Sequence, residues 1–205
     1  MSAPPCKPKL ILASRSPRRQ ELLAEAGYQF DVIPPAELAE CGRSSGESPA
    51  ELVARLAYRK AADVANRVRR GLIVACDTVA ECGGRILGKP SNEDHARRML
   101  ETLRGQEHRV FSGLCLWEQP GGQSDVRVDV TTLRMDPLSD AQIDDYLAAG
   151  AWQSKAGAFG YQDRLGWVHV IQGSESNVVG LPLELLAQML AEFQGQKNSP
   201  RGDGS

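Results

Sequence analysis

The chain has 205 residues, 41% of them apolar, enough for one domain with a substantial core. Its 24 basic residues nearly balance 26 acidic ones, which argues against a non-specific nucleic-acid binder, and no run of about 18 apolar residues predicts a membrane span. Five cysteines without a C-x-x-C pair give neither a zinc site nor a disulfide framework and suit a reducing cytoplasm.

The opening "MSAPPCKPKLILASRS" has too short an apolar run for a signal peptide. Within it "KLILAS" reads as a buried strand through Ala13. "SPRRQELLAEAG" predicts a helix, with Ser16 as N-cap, Pro17 at the first position and Gly27 at its end. "YQFDVIPP" alternates as a strand does. A long helix follows over "SPAELVARLAYRKAADVANRVRRG", closed by Gly71. "LIVACD" is a second buried strand, ended by Asp77, and "TVAECGGRILG" a hairpin turning at Gly83-Gly84. "NEDHARRMLETLRG" is a helix capped by Asn92. Two long strands, "HRVFSGLCLWE" and "DVRVDVTTLRM", flank "QPGGQS"; then come helix "SDAQIDDYLAAG", strand "GWVHVIQG" and helix "LPLELLAQMLAEF". The class is α/β with a mixed sheet. A polar tail, "GQKNSPRGDGS", is expected to be disordered from about residue 195, leaving residues 1–194 as a single bilobed domain.

"CGGRILGKPS" nearly matches a phosphate-binding loop, G-x-x-x-x-G-K, but Pro90 replaces the required Ser or Thr. Its glycines sit at a hairpin rather than between strand and helix, so the match is accidental and Lys89 must act otherwise. Arg18 and Arg19 lie in a helix's first turn, where cations oppose the dipole. After the strand-terminal Ser14, they make sense if an anion binds there, though solvated arginines would look the same. Lys60 projects into the apolar stripe of its helix, so it either snorkels or meets an anion in a cleft. Asp77 stands where open α/β sheets place their chemistry. Cations matched with hard oxygen donors suit a polyphosphate and Mg²⁺ or Mn²⁺. His95, His108 and His169 fall in separate elements and form no ligand pattern.

The ordered segments "LASRSPRRQELL", "LAYRKA", "CDTV", "ILGKP", "LRGQEHRVFSGL", "KAGAFGYQ" and "GLPLELL" closely resemble the Maf family of nucleoside triphosphate pyrophosphatases, from about Leu10 to Phe193. The resemblance implies an elongated mixed-sheet α/β fold, two lobes around a central cleft, related to inosine triphosphate pyrophosphatases. It implies metal-dependent cleavage of a nucleoside triphosphate to monophosphate and pyrophosphate, and "DTV" with "AGAFGYQ" looks like the branch acting on dTTP and UTP. By motif it assigns Ser14, Arg18 and Arg19 to substrate phosphates, and Asp77, Lys60, Lys89 and Gln162 to catalysis. Glu40, preceded by Ala39 where the family has Asp, is the best match to a second catalytic carboxylate holding the metal with Asp77; Glu37 is the alternative. A homodimer is an expectation at the level of the family, with no nucleic-acid or membrane partner. The competing reading is a nucleotide-sensing or septum-regulating protein that uses the same cleft without turnover.

Overall fold

The computed structural model describes residues 9–40, 46–163 and 165–198, with the side chains of residues 38, 40 and 194–198 outside that description. Among the described residues seven strands form one mixed sheet. β1 (Leu10–Leu12) lies parallel to both β2 (Phe30–Val32) and β3 (Gly71–Cys82). On the far side of β3, β5 (Glu107–Gln119), β6 (Ser124–Met135) and β7 (Val168–Gln172) follow antiparallel, while the short β4 (Arg85–Leu87) shares the β1 edge of β3. The β3–β4 turn has Gly83 and Gly84 at φ 56° and 80°, the paired left-handed conformation that a two-residue hairpin loop requires.

Side-chain caps mark the starts of the second, third and fourth helices but not of the first. Ser48 and Glu51 form a reciprocal capping box on α2 (Pro49–Ala65), as Ser139 and Gln142 do on α4 (Asp140–Ala148). Asn92 caps α3 (Glu93–Leu103) through the His95 amide. In α1 (Pro17–Glu25), Ser16 holds the cap position without a side-chain bond, its own amide donating to Ser14 Oγ at 3.1 Å. Two sequence expectations change. The long helix ends at Ala65, not Gly71, which instead opens β3; and β3 runs on past Asp77 to Cys82, because its pairing with β5 continues to Glu81. A short helix, α5 (Glu175–Val179), precedes α6 (Leu183–Asn198), which extends beyond residue 195. Residues 199–205, the rest of the expected tail, lie outside the described residues.

Strand alternation sorts β3 into two faces. Ile73 and Ala75 pack with Ala57, Ala61 and Val64 of α2. Val74 and Cys76 pack on the opposite face with Leu186, Met189 and Phe193 of α6. Further along that second face, Ala80 and Cys82 join a separate apolar cluster with Leu100 and Leu103 of α3 and Ile143 and Leu147 of α4. Thr78 falls between these two clusters, so the apolar cover on this face changes hands there.

On the α2 face the helix comes close to the sheet. A Cβ added at Gly113, which pairs with Asp77, would stand 2.2 Å from the Val53 carbonyl oxygen. Gly113→Ala is therefore expected to destabilise the fold by about 3 kcal/mol, near the upper end of ordinary overpacking, as read by urea unfolding. An unchanged midpoint would mean α2 can move away freely.

His108 is buried, and its Nδ1 finds no hydrogen-bond partner among the described residues. Burial holds its pKa below the ordinary imidazole value of 6.5. The unfolded chain thus binds the proton more readily, and stability falls as pH drops below that value. Melting temperature should decline between about pH 7 and pH 5 in the wild type and less steeply in His108→Leu. Parallel curves would exclude the burial cost as the source.

Candidate active site

Four of the candidate residues, Ser14, Lys60, Asp77 and Lys89, lie at or beside a break in one edge of β3. β1 covers that edge at Leu72, Ile73 and Val74, with one further bond from the Ala13 amide to the Val74 carbonyl. β4 covers it again at Ala80, Glu81 and Cys82. Asp77 lies midway between these two covered stretches. Because β1 runs parallel to β3, the chain leaves β1 through Ala13 and Ser14 toward the break. Because β4 runs antiparallel, the chain leaves Leu87 through Gly88 and Lys89 toward it from the other side. Asp77 is thus not at a strand end, as the sequence suggests, but at an interruption in the cover of an unbroken strand.

Lys60 meets Asp77 there. Its Nζ lies 2.6 Å from Asp77 Oδ1 and 3.5 Å from the Cys76 carbonyl, with side chains 6% and 16% exposed. At that burial the pair is a desolvated, charge-assisted hydrogen bond rather than a surface ion pair. Lys60 reaches the position because α2 lays the stripe Leu56, Ala57, Ala61 and Val64 on the sheet, and position 60 belongs to the same face. The lysine does not snorkel; its anion is internal.

Thr78, next in the strand, points to the opposite face and anchors a second group. Arg19 donates from Nε to the Gly180 carbonyl at 2.7 Å and from its terminal nitrogens to Thr78 Oγ1 at 3.1 Å and Ser14 Oγ at 3.4 Å. Thr78 Oγ1 also lies 2.8 Å from the buried Ser112 hydroxyl. One guanidinium therefore ties the start of α1 to β3 and to the loop before α6, and holds the buried Ser14 in place. Arg18 faces outward and pairs with Glu21 at 2.9 Å. Lys89 is exposed and makes no ion pair among the described residues.

On the Thr78 face a cavity of about 1030 Å³ opens, lined by Arg18, Tyr161, Gln162, Ser174 and Ser176 together with several carboxylates, Asp129 and Glu175 among them. Burial in that setting, with Glu184 nearby, raises the Asp129 pKa. Across the sheet, Thr78 pairs with Ser112 and Ser112 with Asp129, so this row leads from Arg19 into the cavity. The structure brings Arg18 and Gln162 to this cavity and Lys60 and Asp77 together on the α2 face. Ser14 and Lys89 flank the break; neither they nor Lys60 and Asp77 line the cavity. Thr78 and Ser112 received no role from the sequence, although a hydroxyl pair interrupting two apolar strands is a visible signal.

A second carboxylate beside Asp77 depends on Glu40 or Glu37. Glu37 is exposed at the start of a short 3-10 helix, Glu37–Glu40, while the Glu40 side chain lies outside the described residues. Among the described residues no three His, Cys, Asp or Glu side chains cluster as metal ligands. Mg²⁺ nevertheless needs few protein donors, being held by one or two carboxylates together with substrate phosphates and water. Asp77, 16% exposed beside the uncovered stretch of β3, supplies one carboxylate of that kind.

The chain belongs to the Maf family: the family model described as Maf-like protein matches residues 9–193. It is 54% identical over 194 residues to a dTTP/UTP pyrophosphatase of Rhodopirellula baltica, spanning 94% of this chain and 86% of that protein. A dTTP/UTP pyrophosphatase of Carboxydothermus hydrogenoformans is 41% identical over 186 residues, 90% of this chain and 98% of the relative. Among solved structures, a HAM1 protein from Coxiella burnetii is similar with a TM-score of 0.50 over 90% of this chain and 98% of that one. At 17% identity that likeness supports the fold alone.

Proposed function

We propose that the protein hydrolyses nucleoside triphosphates, dTTP and UTP foremost, between the α- and β-phosphates, releasing a nucleoside monophosphate and pyrophosphate. The observation that carries this reading is the buried Lys60–Asp77 pair at the break in β3, flanked by the segments bearing Ser14 and Lys89. Relatives covering most of the chain bear the matching activity in their names. Arg18 and Lys89, both exposed, reach the triphosphate, and Lys60 and Lys89 take up charge that builds on the departing pyrophosphate. Arg19 presents the Ser14 hydroxyl to a phosphate oxygen. Asp77 orients or deprotonates the attacking water, and Gln162 directs water or phosphate through its amide. A divalent ion, Mg²⁺ or Mn²⁺, held by Asp77 and Glu40, would supply further charge neutralisation on the phosphates.

A cytoplasmic setting suits the buried free thiols Cys76, Cys82 and Cys115. A purely nucleotide-sensing role is not favoured, since the matched relatives are named as enzymes. Purified protein should be mixed with dTTP, UTP, CTP and methyl-GTP plus Mg²⁺ or Mn²⁺. Pyrophosphate release strongest with dTTP and UTP is expected; every substrate remaining intact would favour sensing.

A further inference from the structure

The motif "KAGAFGYQ" begins with a lysine to which the proposed chemistry gives no task. Lys155 Nζ lies 2.7 Å from Asp163 Oδ1 and also contacts Oδ2, with both side chains 17% exposed. The buried Tyr146 of α4 donates its hydroxyl to Asp163 Oδ2 at 2.8 Å, and that same hydroxyl accepts the Gly160 amide at 3.3 Å. The two ends of the segment 155–163 are thus tied to each other and to one helix. Inside this loop the backbone is tightly folded. Ala158 adopts φ 61°, a left-handed conformation costing about 1 kcal/mol that persists only where surroundings enforce it. A Cβ on Gly160 would stand 2.5 Å from Lys155 Nζ and 2.8 Å from Asp163 Oδ2, so the ion pair closes directly over that glycine.

Two features connect this closure to the site. Gln162 is the residue immediately before Asp163 and lines the cavity with Arg18. At the other end, the Gly157 amide donates to the Gly88 carbonyl at 3.0 Å, next to Lys89. We infer that Lys155, Asp163 and Tyr146 form a clamp that positions Gln162, and through Gly88 the Lys89 segment, without any of the three touching substrate. Lys155, on this inference, is a cation consumed internally and not a phosphate ligand. The inference rests on the activity proposed above for its kinetic test but not for its structural one.

The test uses the full chain carrying Lys155→Met, Asp163→Asn, both together, Gln162→Ala, and Gln162→Ala with Asp163→Asn. Positioning losses of this kind run at about tenfold to a hundredfold in rate. Each clamp variant should therefore lose kcat on dTTP by about tenfold or more, with KM within about threefold. The double clamp variant should be no worse than its worse single, and Asp163→Asn should cost little once Gln162 is absent. A raised KM in Lys155→Met alongside near-normal Asp163→Asn, with additive effects, would make Lys155 a substrate ligand and overturn the clamp. Trp167 lies 5.9 Å from the Tyr146 ring and 6.2 Å from Phe159, so its emission reports the clamp without turnover. Amide exchange over residues 156–163 should quicken in Asp163→Asn with a shift in that emission; no change in either overturns the clamp. Should Asp163→Asn not fold, Tyr146→Phe, which removes one donor from Asp163, takes both measurements with the same opposed outcomes. Wild-type protein inert toward every triphosphate would defeat the proposed activity, and the exchange and emission readouts would still decide the clamp.

Discussion

Asp77→Asn is expected to leave a folded protein whose turnover of dTTP falls by about a hundredfold or more, the scale of a lost general base. The substitution keeps the shape of the side chain, and the amide oxygen can still accept the Lys60 hydrogen bond that Asp77 Oδ1 accepts at 2.6 Å. Packing against Gly113 and the strand pairing of β3 are untouched. What disappears is the negative charge at the break, and with it the group proposed to accept the proton from water and to hold the metal. Single-turnover kinetics with a parallel thermal melt measures this. Turnover within about threefold of wild type, from a protein with normal melting, would remove Asp77 from the proposed mechanism.

The partner lysine separates the structural from the catalytic share of the pair. Asp77→Ala strands a buried ammonium without its counterion, so stability should fall by about 3 kcal/mol. Lys60→Met in turn strands the Asp77 carboxylate, only 16% exposed, without its cation, so its stability should fall by a similar amount, about 3 kcal/mol. On the proposed mechanism its turnover should also fall by about a hundredfold, because the cation assigned to the developing phosphate charge is lost. Urea unfolding and steady-state rates on the same preparations check both. Near-normal turnover from the folded fraction of Lys60→Met would reverse the assignment and make the pair structural.

Much of the fold was legible because its local signals are strong. Ser48, Asn92 and Ser139 cap the helices their sequences announce, and Gly83-Gly84 turns the hairpin. The misreading at Asp77 has a physical cause. Two polar residues interrupt the apolar run of β3, which looks like a strand end, but they mark a change in what covers the strand while its ladder with β5 continues. Helix α2 stops at Ala65, where its apolar stripe ends; in the run to Arg70 that follows, Val68 alone is apolar, and it packs on the cluster beneath the helix. The polar stripe position of Lys60 was visible, but its partner was not, since the pair joins a helix to a strand. Arg19 is further removed: it bonds the carbonyl of Gly180, 161 positions away, and no local pattern encodes that contact. The family likeness gathers Ser14, Asp77 and Lys89 as motifs; the strand register explains why β1 and β4 deliver their segments to one place.

The proposed reaction separates the α- from the β-phosphate, so the products themselves are the sharpest check. Phosphorus NMR of a dTTP digest, run with Mg²⁺, should show thymidine monophosphate and pyrophosphate appearing in equal amounts. Thymidine diphosphate with orthophosphate, or an unaltered triphosphate spectrum, would contradict the assignment of a pyrophosphate-releasing site to the break in β3.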